Sequence, residues 1–246
     1  MPILDLIRVS KAFEGLQVLK DVSFSIEEGE IVGLIGANGA GKTTLFNVIS
    51  GILRLSSGSI KLGRHEIGGL PAYRICHLGV ARTFQVVRPF IGTSVGKNVE
   101  VAALYGRGDA RISDHDLRDT VSGLLDFVGL KGKSEYSVSS LGLVELKQLE
   151  LARALATDPC LLLLDETFSG LTPTETQRAM DLILRIRTER RVTILWVEHV
   201  MRAIMRVAER LVVLDHGIKI AEGRPAEIAA NQEVISAYLG PQRARP

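Results

Sequence analysis

The stretch "IVGLIGANGAGKTTLFNVI", Ile31 to Ile49, restricts the fold of this chain more than any other. Its first residues form a continuous apolar run of the kind that fills a buried parallel strand. Glycines follow at Gly36, Gly39 and Gly41, and then, over "KTTLFNVISGIL", apolar residues at helical spacing: Leu45, Val48, Ile49 and Ile52. Strand, glycine turn and helix in that order open a βαβ unit. Inside it, "GANGAGKT" (Gly36 to Thr43) fits G-x-x-x-x-G-K-[ST]. Glycines let the backbone curl so that successive N–H groups point at phosphate oxygens, with a helix N-terminus behind them. At ordinary residue usage roughly one chain of this length in a hundred matches the pattern by chance. The flanking strand and helix supply the context that the pattern requires. The candidates for nucleotide contact are Asn38, Gly39, Ala40, Gly41, Lys42, Thr43 and Thr44. Lys42 is placed to reach the β- and γ-phosphates, and the Thr43 hydroxyl to meet Mg²⁺.

Other segments extend this pattern. Ile3 to Val9 and Val18 to Ile26 alternate roughly apolar and polar, as half-buried strands do. "SGSIKLG" and "GVARTFQ" read as strands, with "LPAYRICHL" between them as a helix that has Pro71 near its start. From Gly92 to about Leu155 the chain is helical and loop-rich. It contains a polar insert, "YGRGDARISDHD", whose Arg-Gly-Asp triplet is chance loop composition. The α/β pattern resumes with "CLLLLDE", a helix from about Pro173 to Arg190, and the strand "VTILWVE". "HVMRAIMRVAE" places Val200, Ala203, Ile204 and Val207 on one helix face. Two short strands, "RLVVLD" and "IKIAEG", and one or two helices end the chain. Parallel strands on both sides of a helical block predict one α/β core carrying a helical lobe.

"LLLLDE" is a buried strand that ends in two carboxylates. Asp165 suits the water shell of Mg²⁺, and Glu166 suits orientation or deprotonation of an attacking water. Three further residues have two readings each. His199, where "WVEH" turns into a helix, lies at the strand edge where open α/β sheets bind ligands, but a cap or a packed histidine also fits. Gln85, which ends "ARTFQ", is equally open, and Phe13 in "KAFEG" either stacks on adenine or fills the core.

The totals exclude several classes. Hydrophobic residues make up 46% and charged residues 24%, with a formal net charge of +2, too small for a nucleic-acid footprint. The basic ending "QRARP" reads as a solvated tail. Cys76 and Cys160 stand far apart with no metal-ligand spacing, which predicts a reducing compartment and no disulfide. The charges at Asp5, Arg8 and Lys11 rule out a signal-peptide core near the start. No apolar run approaches the ~18 residues of a membrane span, so membrane work would need other chains to do the spanning.

Taken in order, Phe13, the P-loop, Gln85, the region 140–152, "LLLLDE" and His199 resemble an ABC-transporter ATP-binding subunit over nearly the whole chain. Within that group the sequence is most similar to the subunits of branched-chain amino-acid uptake systems. The resembling segments are "GVARTFQVVRPF", "LELARALATDPCLLLLDE", "VEHVMRAIM" and "VISAYLG". The resemblance implies an α/β P-loop NTPase core with a parallel sheet, a small antiparallel β subdomain and an inserted helical subdomain. It implies one ATPase domain over 1–246: 1–90 and 157–246 form the core, and about 91–156 the helical part. Phe13 then stacks on adenine, Gln85 senses Mg²⁺ and water, and His199 meets the γ-phosphate. The implied catalytic set is Glu166, His199 and Lys42, with Thr43, Gln85 and Asp165 on the metal.

One segment departs from the family. Anchoring on "LELARAL" puts Leu141, Gly142, Leu143, Val144 and Glu145 where the family usually has Leu-Ser-Gly-Gly-Gln or Leu-Ser-Tyr-Gly-Gln. A frame two residues earlier would restore Ser140-x-Gly142, but it needs a two-residue insertion before the helix. In the family this turn closes over the γ-phosphate held by the opposite subunit, where hydroxyl and N–H donors stabilise negative charge. Gly142 lacks the hydroxyl, Val144 fits poorly wherever φ must be positive, and Glu145 adds negative charge unless it points away. One lost charge-assisted hydrogen bond costs about 1.5–3 kcal/mol, up to ~100-fold in rate. Thr167 and Thr172 also differ from the usual proline and from aspartate or asparagine.

The expected function is therefore an energy-coupling ATPase for import of a small solute, with ATP and Mg²⁺ as cofactors. The expected partners are a second ATPase subunit, in a heterodimer with one strong and one weak site, two membrane permeases and a solute-binding protein. The expected location is the cytoplasmic face of the cell membrane. Arg88, Pro89 and Phe90 would lie near the surface that grips the permeases. A weakly hydrolysing regulatory module and an exporter ATPase are the competing readings. Retained Glu166 and His199 count against the first, and "VISAYLG" against the second.

Overall fold

The structure is a computed structural model that describes residues 2–108 and 112–239. It divides into two compact units, Met1–Pro71 with Thr193–Pro246, and Ala72–Val192.

In the first unit, β1 (Leu4–Phe13) pairs antiparallel with β2 (Leu16–Ile26) and β4 (Ser57–Leu62). A two-residue strand, β5 (His65–Glu66), extends that sheet beyond β4. The β3 strand (Ile31–Ile35) is buried at every position, as its unbroken apolar sequence predicts. It lies parallel to both β8 (Thr193–Val197) and β9 (Arg210–Asp215), and β10 (Ile218–Gly223) folds back antiparallel on β9. A Cβ at Gly33 would come within 2.5 Å of Leu211 and 2.8 Å of Ile204, so glycine here lets α7 (Met201–Val207) press on the sheet. Of the predicted face of α7, Ala203, Ile204 and Val207 are buried. Val200 is 38% exposed because the helix begins only after it. Helix α1 (Lys42–Ile49) follows the glycine loop, and α8 (Pro225–Ala230) and α9 (Gln232–Leu239) close the unit.

In the second unit, β6 (Val80–Arg82) and β7 (Leu161–Asp165) run parallel, with Val80 opposite Leu161 and Arg82 opposite Leu163. Helix α2 (Ala72–His77) precedes β6, with Pro71 just before its first turn. The strand expected over "GVARTFQ" stops at Arg82. Thr83 still donates its N–H to the Leu163 carbonyl at 3.0 Å, but the Phe84 N–H goes to the Glu150 carboxylate at 2.9 Å. That side chain takes the place of a strand partner and turns the chain out of the sheet. Helices α3 (Val95–Tyr105), α4 (Asp114–Val128) and α5 (Leu143–Ala156) pack on one another, and α6 (Pro173–Arg190) follows β7. The Ser113 side chain accepts the Asp116 N–H to start α4, and Gly129, at φ 90°, ends it. The Arg-Gly-Asp triplet and the "QRARP" tail reach outside the described residues. Among the described residues no helix is long and apolar enough to cross a membrane.

Candidate functional site

The phosphate loop of the first unit is built as its sequence requires. Gly39 and Gly41 adopt φ of 81° and 101°, conformations that a side chain would disfavour. At Gly36 a Cβ would lie 2.2 Å from the Leu214 carbonyl oxygen. Lys42 is buried, and its ammonium donates to the Gly36 and Ala37 carbonyls at 2.7 and 3.0 Å, which holds the cation inside the curl of the loop. Thr43 is exposed, Thr44 half-buried, and Asn38 and Gly39 are open to solvent, while Ala40 is buried. Phe13 ends β1 with its ring 40% exposed and the Lys11 ammonium 4.7 Å from the ring centroid, so it is not a core filler. His199 follows β8 as an exposed residue, its backbone N–H donating to Glu198 at 2.9 Å.

Sequence reading passed over one contact here. Tyr238, in the "VISAYLG" segment, hydrogen-bonds the backbone of Gly36, the first glycine of the loop. Burial pushes its phenol up, and that hydrogen bond acts in the opposite direction. The segment marked a resemblance; a contact more than a hundred residues back along the chain left no local signal.

The second unit gathers the acidic residues. Asp165 is buried at the end of β7, where Arg82 of the neighbouring strand donates to its Oδ2 at 2.7 Å. The Thr83 hydroxyl accepts the Asp165 backbone N–H at 3.2 Å. Glu166 comes next at φ 48°, the left-handed region, which for a non-glycine residue stores about 1–3 kcal/mol of strain. Its Oε2 accepts the side-chain amide of Gln85 at 2.7 Å. Gln85, ambiguous in sequence, thus meets Glu166 where β6 and β7 end. Glu150, also unflagged, is buried against the Phe84 N–H, and loss of solvation pushes its carboxyl up to about 7 against the pull of that N–H, Arg153 and Lys147.

No cluster of three or more His, Cys, Asp or Glu among the described residues could hold a metal unaided. Mg²⁺ is usually bound through one or two carboxylates plus the phosphates of its nucleotide. Within the second unit the Asp165 carboxylate and the Gln85 amide carry oxygen donors of the kind such an ion accepts.

The altered turn lies at the start of α5. Leu141 is buried, Gly142 is the N-cap, and Leu143 begins the helix. Val144 lies in the first turn and has no positive φ, so it carries no backbone strain. Glu145 curls back on its own chain: its Oε2 accepts the Gly142 N–H at 3.0 Å, and Lys133 pairs with Oε1. Lys133, the Gly142 N–H and the resulting ion pair together lower its pKa. Thr172 is the N-cap of α6, accepting from the Glu175 N–H at 3.4 Å, a role that aspartate and asparagine also fill.

This arrangement defines the class. The family model of the ABC transporter matches residues 19–169, and one named for the branched-chain amino acid ATP-binding cassette transporter matches 219–240. The chain belongs to the ATP-binding cassettes of ABC transporters, which hydrolyse ATP to drive transport. Among its relatives, the high-affinity branched-chain amino acid transport ATP-binding protein BraF of Pseudomonas aeruginosa is 36% identical over 97% of this chain and 98% of its own. LivG of Salmonella typhimurium, which carries the same description, is 37% identical over the same shares. A solved ATP-binding cassette of an ABC transporter superposes with a TM-score of 0.88 at 26% identity, covering 98% of this chain and all of that one. The ADP conformation of such a cassette, also 26% identical, gives 0.86.

Proposed function

We propose that this chain is the ATP-hydrolysing subunit of an importer of branched-chain amino acids, paired in a heterodimer with a second cassette of intact signature. The observation that carries the hydrolytic role is Glu166, set at a strained φ and held by the Gln85 amide beside Asp165. Lys42 and the loop N–H groups bind the phosphates, with Phe13 against the base. Thr43, Gln85 and Asp165 would hold Mg²⁺, which would supply positive charge to offset the negative charge of the phosphate oxygens. Glu166 takes the proton of the attacking water, Gln85 orients that carboxylate, and His199 donates to the γ-phosphate. The helical part, about 91–156, presents the turn 141–145 to the partner's nucleotide.

The names of the relatives support the substrate class. The contrast between the complete phosphate loop and the altered turn supports the heterodimer: this chain's nucleotide meets an intact partner turn, and the partner's meets Gly142–Glu145. Two permeases, a solute-binding protein and a place on the cytoplasmic membrane face complete the assembly. Arg88–Phe90 suits the permease contact: Arg153 donates to the Arg88 carbonyl at 2.8 Å and lies 4.7 Å from the centroid of the Phe90 ring, which presents that loop as a fixed surface.

The test is ATPase activity of the purified chain alone and in the reconstituted complex, with leucine uptake into proteoliposomes. Low turnover alone and high turnover with uptake in the complex is the expected result. Full turnover by the isolated chain would sink the heterodimer, and absence of ATP-driven uptake would sink the importer.

A further inference from the structure

We infer that Glu150 and Lys147, on α5, are positioning residues that hold the loops carrying Gln85 and Glu166 close enough for the amide to reach the carboxylate. This role rests on the proposed hydrolytic function, because it requires Glu166 to act on water.

Both loops leave the sheet before the functional residue. β6 ends at Arg82 and β7 at Asp165, and pairing between the two chains reaches Thr83, whose N–H meets the Leu163 carbonyl. Gln85 lies beyond that point and is exposed, so its amide can bond to water as readily as to Glu166. A contact of that kind persists where both backbones are already fixed, because the cost of ordering them has then been met elsewhere. Glu166 adds a second demand. It stands at φ 48°, and such a conformation is kept where the surrounding structure enforces it.

One face of α5 meets both demands. Lys147, Glu150 and Arg153 recur at every third residue, so they line up along the helix, and each binds one backbone group of these loops. The Glu150 carboxylate accepts the Phe84 N–H at 2.9 Å, one residue before Gln85. Arg153 donates to the Arg88 carbonyl at 2.8 Å, three residues after Gln85. Lys147 donates to the Thr167 carbonyl at 2.8 Å, one residue after Glu166. Gln85 is thus held between two anchors on one helix, and Glu166 beside a third. Because the helix fixes the spacing of the three side chains, it fixes the spacing of the loops as well. Glu150 is 6% exposed, a costly place for a carboxylate that does no more than fill space. Burial works against its charge, while the Phe84 N–H, Arg153 and Lys147 favour it.

Single-turnover ATP hydrolysis in the reconstituted complex tests this, and binding of a fluorescent ATP analogue checks that each variant folds. Glu150→Leu takes the acceptor from the Phe84 N–H and should slow hydrolysis about 10-fold, with analogue affinity within about 2-fold of the parent. Glu150→Gln keeps an acceptor oxygen and should recover most of that loss. Lys147→Met should slow hydrolysis about 5- to 10-fold, again at parental affinity. The separating readout is a double-mutant cycle. In a Gln85→Ala background, Glu150→Leu and Lys147→Met should each cost less than about 2-fold more, because the contact they position is already gone. Losses that multiply in that background make the two residues structural and overturn the proposal. So do parental rates in the single variants, or a Glu150→Gln rate no better than that of Glu150→Leu. Should Glu150→Leu fail to bind the analogue, the Lys147→Met cycle decides. A parental rate for Glu166→Gln would instead remove the base, and with it the hydrolytic function on which this role rests.

Discussion

Gln85 donates its side-chain amide to Glu166, Nε2 to Oε2 at 2.7 Å. The two follow parallel neighbouring strands, β6 and β7, so the pairing of Arg82 with Leu163 brings their loops together. Under the proposed function, an amide that also offers an oxygen to a cation would report the presence of Mg²⁺ to the carboxylate proposed to deprotonate water.

That coupling separates two variants. Glu166→Gln should reduce ATP turnover about 10²- to 10⁴-fold while leaving ATP affinity near that of the parent. Gln85→Ala leaves the base in place but unanchored, and should reduce turnover about 10- to 100-fold. Single-turnover kinetics in the reconstituted complex measures both, and parental rates for Glu166→Gln would remove it as the base.

Lys42 should act on binding. Its ammonium rests on two loop carbonyls, and in the proposed role it exchanges them for phosphate oxygens when nucleotide enters. Lys42→Ala should weaken ATP about 10- to 100-fold, the value of one charge-assisted hydrogen bond. Equilibrium titration with a fluorescent ATP analogue reads this directly, and unchanged affinity would contradict the role.

Glu145 should stabilise this chain at the expense of its partner's site. It caps Gly142 and pairs with a partly exposed Lys133, so Glu145→Ala should cost about 1 kcal/mol in urea unfolding. Glu145→Gln keeps the cap acceptor and removes the charge. It should raise the turnover of the isolated chain, where each turn faces another copy's nucleotide; a fall would show that the carboxylate helps rather than hinders.

Glu150 sets a pH dependence of stability. Burial raises its carboxyl from the ordinary 4.5 to about 7, with Arg153 and Lys147 opposing that rise and Asp165 adding to it. A folded-state pKa above the unfolded one means that the folded chain keeps the proton through this window. Stability is therefore full below about 4.5 and is lost as pH rises through about 7. Glu150→Gln retains an oxygen for the Phe84 N–H and removes the titration, so its thermal midpoint should vary less over that window. Equal slopes for parent and variant would assign the effect elsewhere.

Sequence reading went far where chemistry is local. Strand, glycine curl and helix from Ile31 to Ile49 need only neighbours in the chain, so the loop, Lys42 and Thr43 were legible. So were Asp165 and Glu166, because a fully apolar strand ending in two acids is a local pattern. The roles proposed for Gln85 and His199 come from order along the chain, and in isolation each is ambiguous. What escaped was every feature built from distant partners. The Arg82–Asp165 pair, the Tyr238 contact at Gly36 and the burial of Glu150 have no periodicity to betray them. The altered turn makes the same point. Its residues were readable as losses, yet the direction of the Glu145 side chain depended on Lys133, twelve positions upstream, and on the N–H of Gly142. A side chain's charge is written in its own residue; what neutralises that charge is set by whichever donors folding brings within reach.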